Sequence, residues 1–134
     1  MKSGKFFSYL LIVVSTSLFV RCTPENIDYG PTAKETITKN QWSVDYYFSG
    51  QDRTAQFNNY KLNFTGSGVL TANDGTVSVS GSWSIIKDAF RNDVLKINLP
   101  EAHLQSLNEQ WIVNLSSEIL TMKGTGSEMR LRKL

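Results

Sequence analysis

The chain carries few residues able to do acid–base, nucleophilic or metal chemistry. His103 is its only histidine and Cys22 its only cysteine. A His-rich zinc site is therefore excluded, and a Ser-His-Asp triad would have to run through His103 alone. His103 lies two residues after Glu101, in a stretch read below as a short helix, where an exposed histidine is the ordinary outcome. Carboxylates at Asp45, Asp52, Asp74, Asp88, Asp93 and Glu101 fall in expected loops or on expected polar faces. A glycosidase needs two carboxylates at a set separation, and nothing in this spacing selects a pair. Neither a phosphate-cradling loop nor a dinucleotide fingerprint is present. Asn63 and Asn114 open glycosylation triplets, and a three-residue pattern of this kind is read as a chance match. The expectation is a protein that is not an enzyme and has no cofactor and no metal.

What positions such residues is a long alternation. Val77, Val79, Gly81, Trp83 and Ile85 fall on one face of an extended segment, and Ser78, Ser80, Ser82 and Ser84 on the other. Successive side chains of a strand point to opposite faces, so this is one dry and one wet face. The pattern recurs in Trp42, Val44, Tyr46 and Phe48, then in Tyr60, Leu62 and Phe64. It continues through Leu95, Ile97 and Leu99, then Trp111, Val113 and Leu115, and ends with Leu120, Met122, Met129 and Leu131. Turn chemistry separates the runs: Gly66, Gly68, Asn73, Asp74, Gly75, Gly124 and Gly126 accept the backbone angles that hairpins need.

Eight strands follow, over residues 41–48, 58–65, 68–73, 76–87, 94–99, 110–116, 118–123 and 128–133. Residues 100–108 break the alternation and read as a short helix opened by Pro100, between strands 5 and 6, with Leu104 and Leu107 facing the sheet. Residues 33–39 suit a helical turn capping the fold. A sheet with one apolar face must bury it, and with so little helix available it closes on itself. Closure also removes sheet edges that invite aggregation. The fold class is all-β: an eight-stranded antiparallel up-and-down barrel.

Upstream lies a different kind of segment. Lys2 and Lys5 precede an uncharged, mostly apolar run over residues 6–20, the plan of a secretory signal. Its 15 residues are fewer than the about 20 that a spanning helix needs. Cys22 ends the run, in the segment Leu18, Phe19, Val20, Arg21, Cys22, which resembles a bacterial lipobox. That resemblance implies a diacylated cysteine at a new N-terminus, and two acyl chains hold stably in a membrane. Arg21 stands where a small residue usually precedes the cysteine. Cleavage after Ser17, or an uncleaved signal-anchor, are the other readings. The division is a signal peptide over 1–21, a lipid-anchored polar tether over 22–40 and a barrel domain over 41–134. Lys2, Lys5 and Arg21 are three of the 14 basic residues, so the chain beyond them holds 11 basic against 12 acidic residues. Nucleic-acid binding needs a basic patch, and none is indicated.

Taken together, the lipobox-like cysteine, the tether, Asn40-Gln41-Trp42 opening the first strand, Gly81-Ser82-Trp83 in mid-chain and the short helix before Trp111 resemble the lipocalin-like lipoproteins of Gram-negative envelopes. Asn40 stands where lipocalins carry the Gly of a Gly-x-Trp. The resemblance implies an outer-membrane lipid-anchored protein, on the periplasmic or surface face, whose barrel holds a small hydrophobic ligand. It also implies a late arginine, Arg130 or Arg132, packed on Trp42; an arginine turned out to water is the plain alternative. In an up-and-down barrel the ligand mouth would gather the 49–57 loop, Asn73-Asp74-Gly75, the 100–109 helix and residues 124–127. The candidate ligand-binding residues are then Tyr46, Phe48, Tyr60, Val77, Leu99, Trp111, Met122 and Met129. The alternative is a filled barrel that docks another envelope protein, which exposure of Tyr47, Phe57 and Phe90 would favour. An eight-stranded barrel is only wide enough for its own side chains or one small ligand, so cavity volume separates the two readings.

Overall fold

A computed structural model describes residues 32–134. The leader and Cys22 lie outside the described residues. The elements run α1 (Ala33–Lys39), β1 (Gln41–Ser49), α2 (Thr54–Phe57), β2 (Lys61–Phe64), β3 (Val69–Asn73), β4 (Ser78–Lys87) and β5 (Asp93–Asn98). A 3₁₀ helix (Ala102–Leu107) follows, then β6 (Gln110–Leu115), β7 (Ile119–Lys123) and β8 (Ser127–Lys133). All strand neighbours are antiparallel and consecutive, and β1 pairs with both β2 and β8, so the sheet closes in up-and-down order. All eight expected strands form, with ends displaced by at most three residues. The helix expected at 100–108 is a shorter 3₁₀ turn, and the 49–57 loop holds α2, which the alternation did not announce.

The interior is continuous. Leu62, Phe64, Leu70, Ala72, Leu95, Trp111, Leu120, Met122, Met129 and Leu131 are fully buried in one cluster. Each tryptophan also satisfies its indole N–H, which would otherwise be stranded in a dry core. Trp42 donates to the Ile37 carbonyl at 3.0 Å, Trp83 to Thr65 at 3.0 Å and Trp111 to Leu107 at 2.9 Å. The Trp42 bond ties β1 to α1, whose buried Ile37 closes the end of the cylinder where the chain enters. The first turn of α1 is set by a capping box: Thr32 Oγ1 accepts from the Glu35 N–H, and the Glu35 carboxylate accepts from the Thr32 N–H. The folded core thus reaches back into the stretch read as tether.

One expected alternation fails in β1. The β1–β8 register shifts between Val44 and Tyr46, a β-bulge at Asp45. An extra residue in one strand flips every side chain beyond it to the other face. Trp42 and Val44 therefore point inward as expected, but Tyr47 takes the next inward place and is fully buried. Tyr46 is half-buried outside, and Phe48 is 36% exposed. The bulge also redirects the late arginines. Arg130 stacks on the Tyr46 ring at 4.4 Å, and Arg132 makes two bonds to Asp45 at 3.3 and 3.2 Å. Neither is the contact with Trp42 that the family likeness implied.

Candidate functional surface

The expected ligand mouth is a plugged end. Tyr60, Leu99, Trp111, Met122 and Met129, five of the eight candidate residues, are buried there or beneath it. Tyr46 and Phe48 lie on the outside because of the bulge. Val77 is 55% exposed, because it belongs to a turn and not to β4. The Asp74 carboxylate accepts from the N–H groups of Thr76 and Val77, and the Asp74 N–H donates to the Val77 carbonyl. That turn holds Val77 away from the strand face.

Two short helices make the plug. Phe57 of α2 meets Tyr47 edge to face with centroids 4.9 Å apart, and Tyr47 meets Trp111 at 6.5 Å. The Tyr47 hydroxyl donates to the Ser106 carbonyl at 3.1 Å, which pins the 3₁₀ helix over the barrel. Leu104 and Leu107 of that helix are buried. Tyr60 and His103 share a 2.8 Å hydrogen bond at the rim. Burial first, then the charges of Asp74 and Glu101, holds the Tyr60 hydroxyl above its ordinary pKa. Tyr47 and Phe57 are therefore inside, and of the three aromatics that exposure would have singled out only Phe90 stands in water.

Local locks occupy most of the carboxylates considered above. Asp52 accepts from the Thr54 hydroxyl and N–H at 2.6 and 2.9 Å, Asp88 from Asn92 and Phe90, and Asp93 pairs with Lys87 at 2.8 Å. The hydrogen bonds from Thr54, from Val77 and Thr76, and from Asn92 respectively hold Asp52, Asp74 and Asp88 below the usual carboxylate range.

The features that the alternation did not reveal lie on the outside of β4, β5 and β6. Ile86 pairs with Val94 and Val94 with Ile112, which makes one apolar row across three strands. Ile86 is 49% and Ile112 48% exposed. Next along the strands, Ser84, Lys96 and Gln110 form a second row, and Ser82 pairs with Asn98. Beyond Lys96 β5 loses β6 as a partner, and the Asn108 side chain replaces it. Its amide accepts from the Leu99 N–H at 2.7 Å and donates to the Leu99 carbonyl at 2.8 Å, imitating a strand. The gap beside Asn108 is an open cleft of about 520 Å³, lined by polar Ser82, Ser84, Lys96, Asn98, Glu109 and Gln110 and also by Trp83 and Ile97 of the core. Glu109 is held by a hydrogen bond from Ser127, and its carboxylate occupies the space that a Cβ at Gly124 would need. Five clefts on the described residues are lined by none of the fully buried side chains of the barrel interior. What the arrangement can do chemically is present an apolar strip beside a polar, mixed-charge recess.

Comparison with known proteins adds the fold. The chain is similar to a solved structure of a DUF4847 family protein from Bacteroides vulgatus, with a TM-score of 0.57 at 12% identity, over 75% of this chain and 96% of that one. At that identity the likeness shows a shared fold and nothing of function. No family model matches the chain, and no curated protein matches it. The shared fold is the closed eight-stranded up-and-down barrel described above.

Proposed function

We propose that this chain is a lipid-anchored protein of a Gram-negative envelope whose barrel is a filled docking module, not a carrier of a small molecule. The single observation that carries this reading is the plugged, solid interior: of the eight residues expected to line a ligand pocket, Tyr60, Leu99, Trp111, Met122 and Met129 are buried in one packed cluster and the other three lie outside it. A carrier needs a void of roughly 300 Å³ or more inside the barrel. The recognition surface is then external, and the β4–β6 face supplies it. Its centre is exposed Ile86 and Ile112 with largely covered Val94 between them, and its rim is Lys96, Gln110 and the cleft beside Asn108. An apolar centre with a polar rim is the usual anatomy of a protein-binding patch. The partner is another envelope protein, and the anchor at Cys22 holds the module at the membrane where that partner resides.

Native mass spectrometry of the protein purified from its own host tests the choice. The expected mass is the polypeptide with its acyl chains and nothing further; a stoichiometric small molecule retained inside the barrel would refute the filled-module reading. The docking face has its own test. A photo-crosslinking residue at Ile112 should give one discrete adduct in the envelope that Ile112→Asp removes, whereas the same probe at Asn63, on the opposite polar face, should give none.

A further inference from the structure

The strand order sorts the loops into two ends. The entry end carries α1, the 65–68 turn, the 88–92 loop, the 116–118 turn and the C-terminal Leu134. Charge is sorted with them. Residues 32–40, 87–93, 116–119 and 131–134 hold six basic and four acidic side chains, while residues 50–61, 74–77, 100–110 and 123–128 at the plugged end hold three basic and five acidic.

At the entry end one loop holds an aromatic ring in water. Phe90, at the tip of 88–92, is 86% exposed. The loop is built to keep it there. The Asp88 carboxylate accepts from the N–H of Phe90 and of Asn92, each at 2.8 Å, and from the Asn92 amide at 3.0 Å. The Asp88 N–H donates to the Asn92 carbonyl, the Arg91 N–H donates to the Asp88 carbonyl, and Arg91 takes a left-handed φ of 64°. A non-glycine residue in that region is uncommon. The phenyl ring is therefore held next to Arg91 on a braced loop whose base is tied by the Lys87–Asp93 pair, with exposed Leu134 at the same end.

The chain leading out of the described fold points the same way. Cys22 lies ten residues before Thr32, a reach of at most about 33 Å at ~3.3 Å per residue. The ten-residue β4 spans about the same length. An anchor at Cys22 would thus keep the entry end close to the bilayer and hold its groups at a high effective concentration over the surface.

We propose that the entry end lies on an anionic phospholipid surface, with Phe90 seated in the interfacial region and Arg91 against lipid phosphates. This rests on the lipid-anchor part of the proposed function. It leaves the outer face of β4–β6 rising from the membrane, with Ile86 and Val94 at its membrane-proximal edge and Ile112 beside Val94, and turns the acidic, plugged end away from the membrane. An aromatic side chain beside a cationic one suits that boundary, where an apolar group sinks about 5–10 Å.

Fluorescence quenching tests it on the full chain. The native tryptophans are buried, so a tryptophan introduced on the surface can be followed as a difference. Phe90→Trp and Asn59→Trp variants, the latter at the plugged end, are reconstituted in vesicles of seven parts brominated phosphatidylcholine to three parts phosphatidylglycerol. The expected result is bromine quenching and a blue shift for Phe90→Trp, at a depth of about 5–10 Å, and neither for Asn59→Trp. Equal quenching of the two, or none at position 90, overturns the orientation. Undiminished quenching at position 90 in vesicles without phosphatidylglycerol overturns the anionic requirement. Intact mass of the same preparation decides the anchor separately. Acylated Cys22 with an unquenched probe at position 90 sinks the orientation and keeps the anchor; unmodified Cys22 with a quenched probe does the reverse.

Discussion

Met122 and Met129 face one another across the β7–β8 ladder, both fully buried, and they test whether the barrel is filled. Each Met→Ala change removes three heavy atoms from a site without solvent contact. Such truncations in a packed core cost about 2–5 kcal/mol, part of it from the void left behind. A domain of this size has about 5–15 kcal/mol of stability in all, so each single variant should remain folded. With about 4–8 °C lost per kcal/mol, each should melt clearly lower, and its urea midpoint should fall with an unchanged slope. The double variant is the sharper test. The residues touch, so their losses will not add, and the two voids merge into one apolar space. A dry apolar void of about 150 Å³ takes up benzene. Benzene or indole should therefore raise the melting temperature of the double variant and leave that of the native protein unmoved. Stabilisation of the native protein by such a probe, or a cost below about 1 kcal/mol for either single change, would refute the claim of a packed interior.

The bulge at Asp45 predicts opposite outcomes at adjacent residues. Tyr47→Ala should cost about 3–5 kcal/mol in urea unfolding, and Phe48→Ala within about 0.5 kcal/mol of nothing; the reverse order would show that β1 runs in the unbulged register. Alkaline stability should depend on Tyr60. Its folded pKa is raised above the ordinary 10.0, so its contribution is complete below about pH 10 and is lost as the pH climbs through the folded value. Tyr60→Phe should flatten that alkaline limb, and an unchanged limb would remove Tyr60 from the account. Gly81→Ala should cost about 1–3 kcal/mol or more, because a Cβ there would overlap the Asn98 carbonyl, a backbone atom. A neutral effect in urea melts would mean that β4 and β5 are not so closely apposed.

Alternation made most of the barrel legible because a half-buried strand has a period of two wherever its side chains differ enough to reveal it. β4 shows this best: serines alternate with Val79, Gly81 and Trp83, and the register followed. In β1 the same rule was mute. Tyr46, Tyr47 and Phe48 are all large and aromatic, so both registers bury one of them equally well by composition. The choice belonged to the pairing with β8, where Arg130 and Arg132 meet Tyr46 and Asp45 on the outside. Val77 was misplaced for a local reason. It is an apolar residue in phase with its strand, but the Asp74 side chain captures its N–H and ends the turn one residue later.

The chain's own residues decide that there is a barrel and where its turns lie. Those are properties of short stretches, set by period, turn preference and residue inventory. Whether the cylinder is hollow was decided only in three dimensions. It depends on Tyr47 turning inward, on α2 and the 3₁₀ helix settling over Trp111, and on Ile37 closing the other end. The external surface was equally hidden: Ile86, Val94 and Ile112 belong to three different strands and become one strip only when those strands lie side by side in this register. Packing volume and cross-strand adjacency are sums over distant residues, and no local pattern carries them.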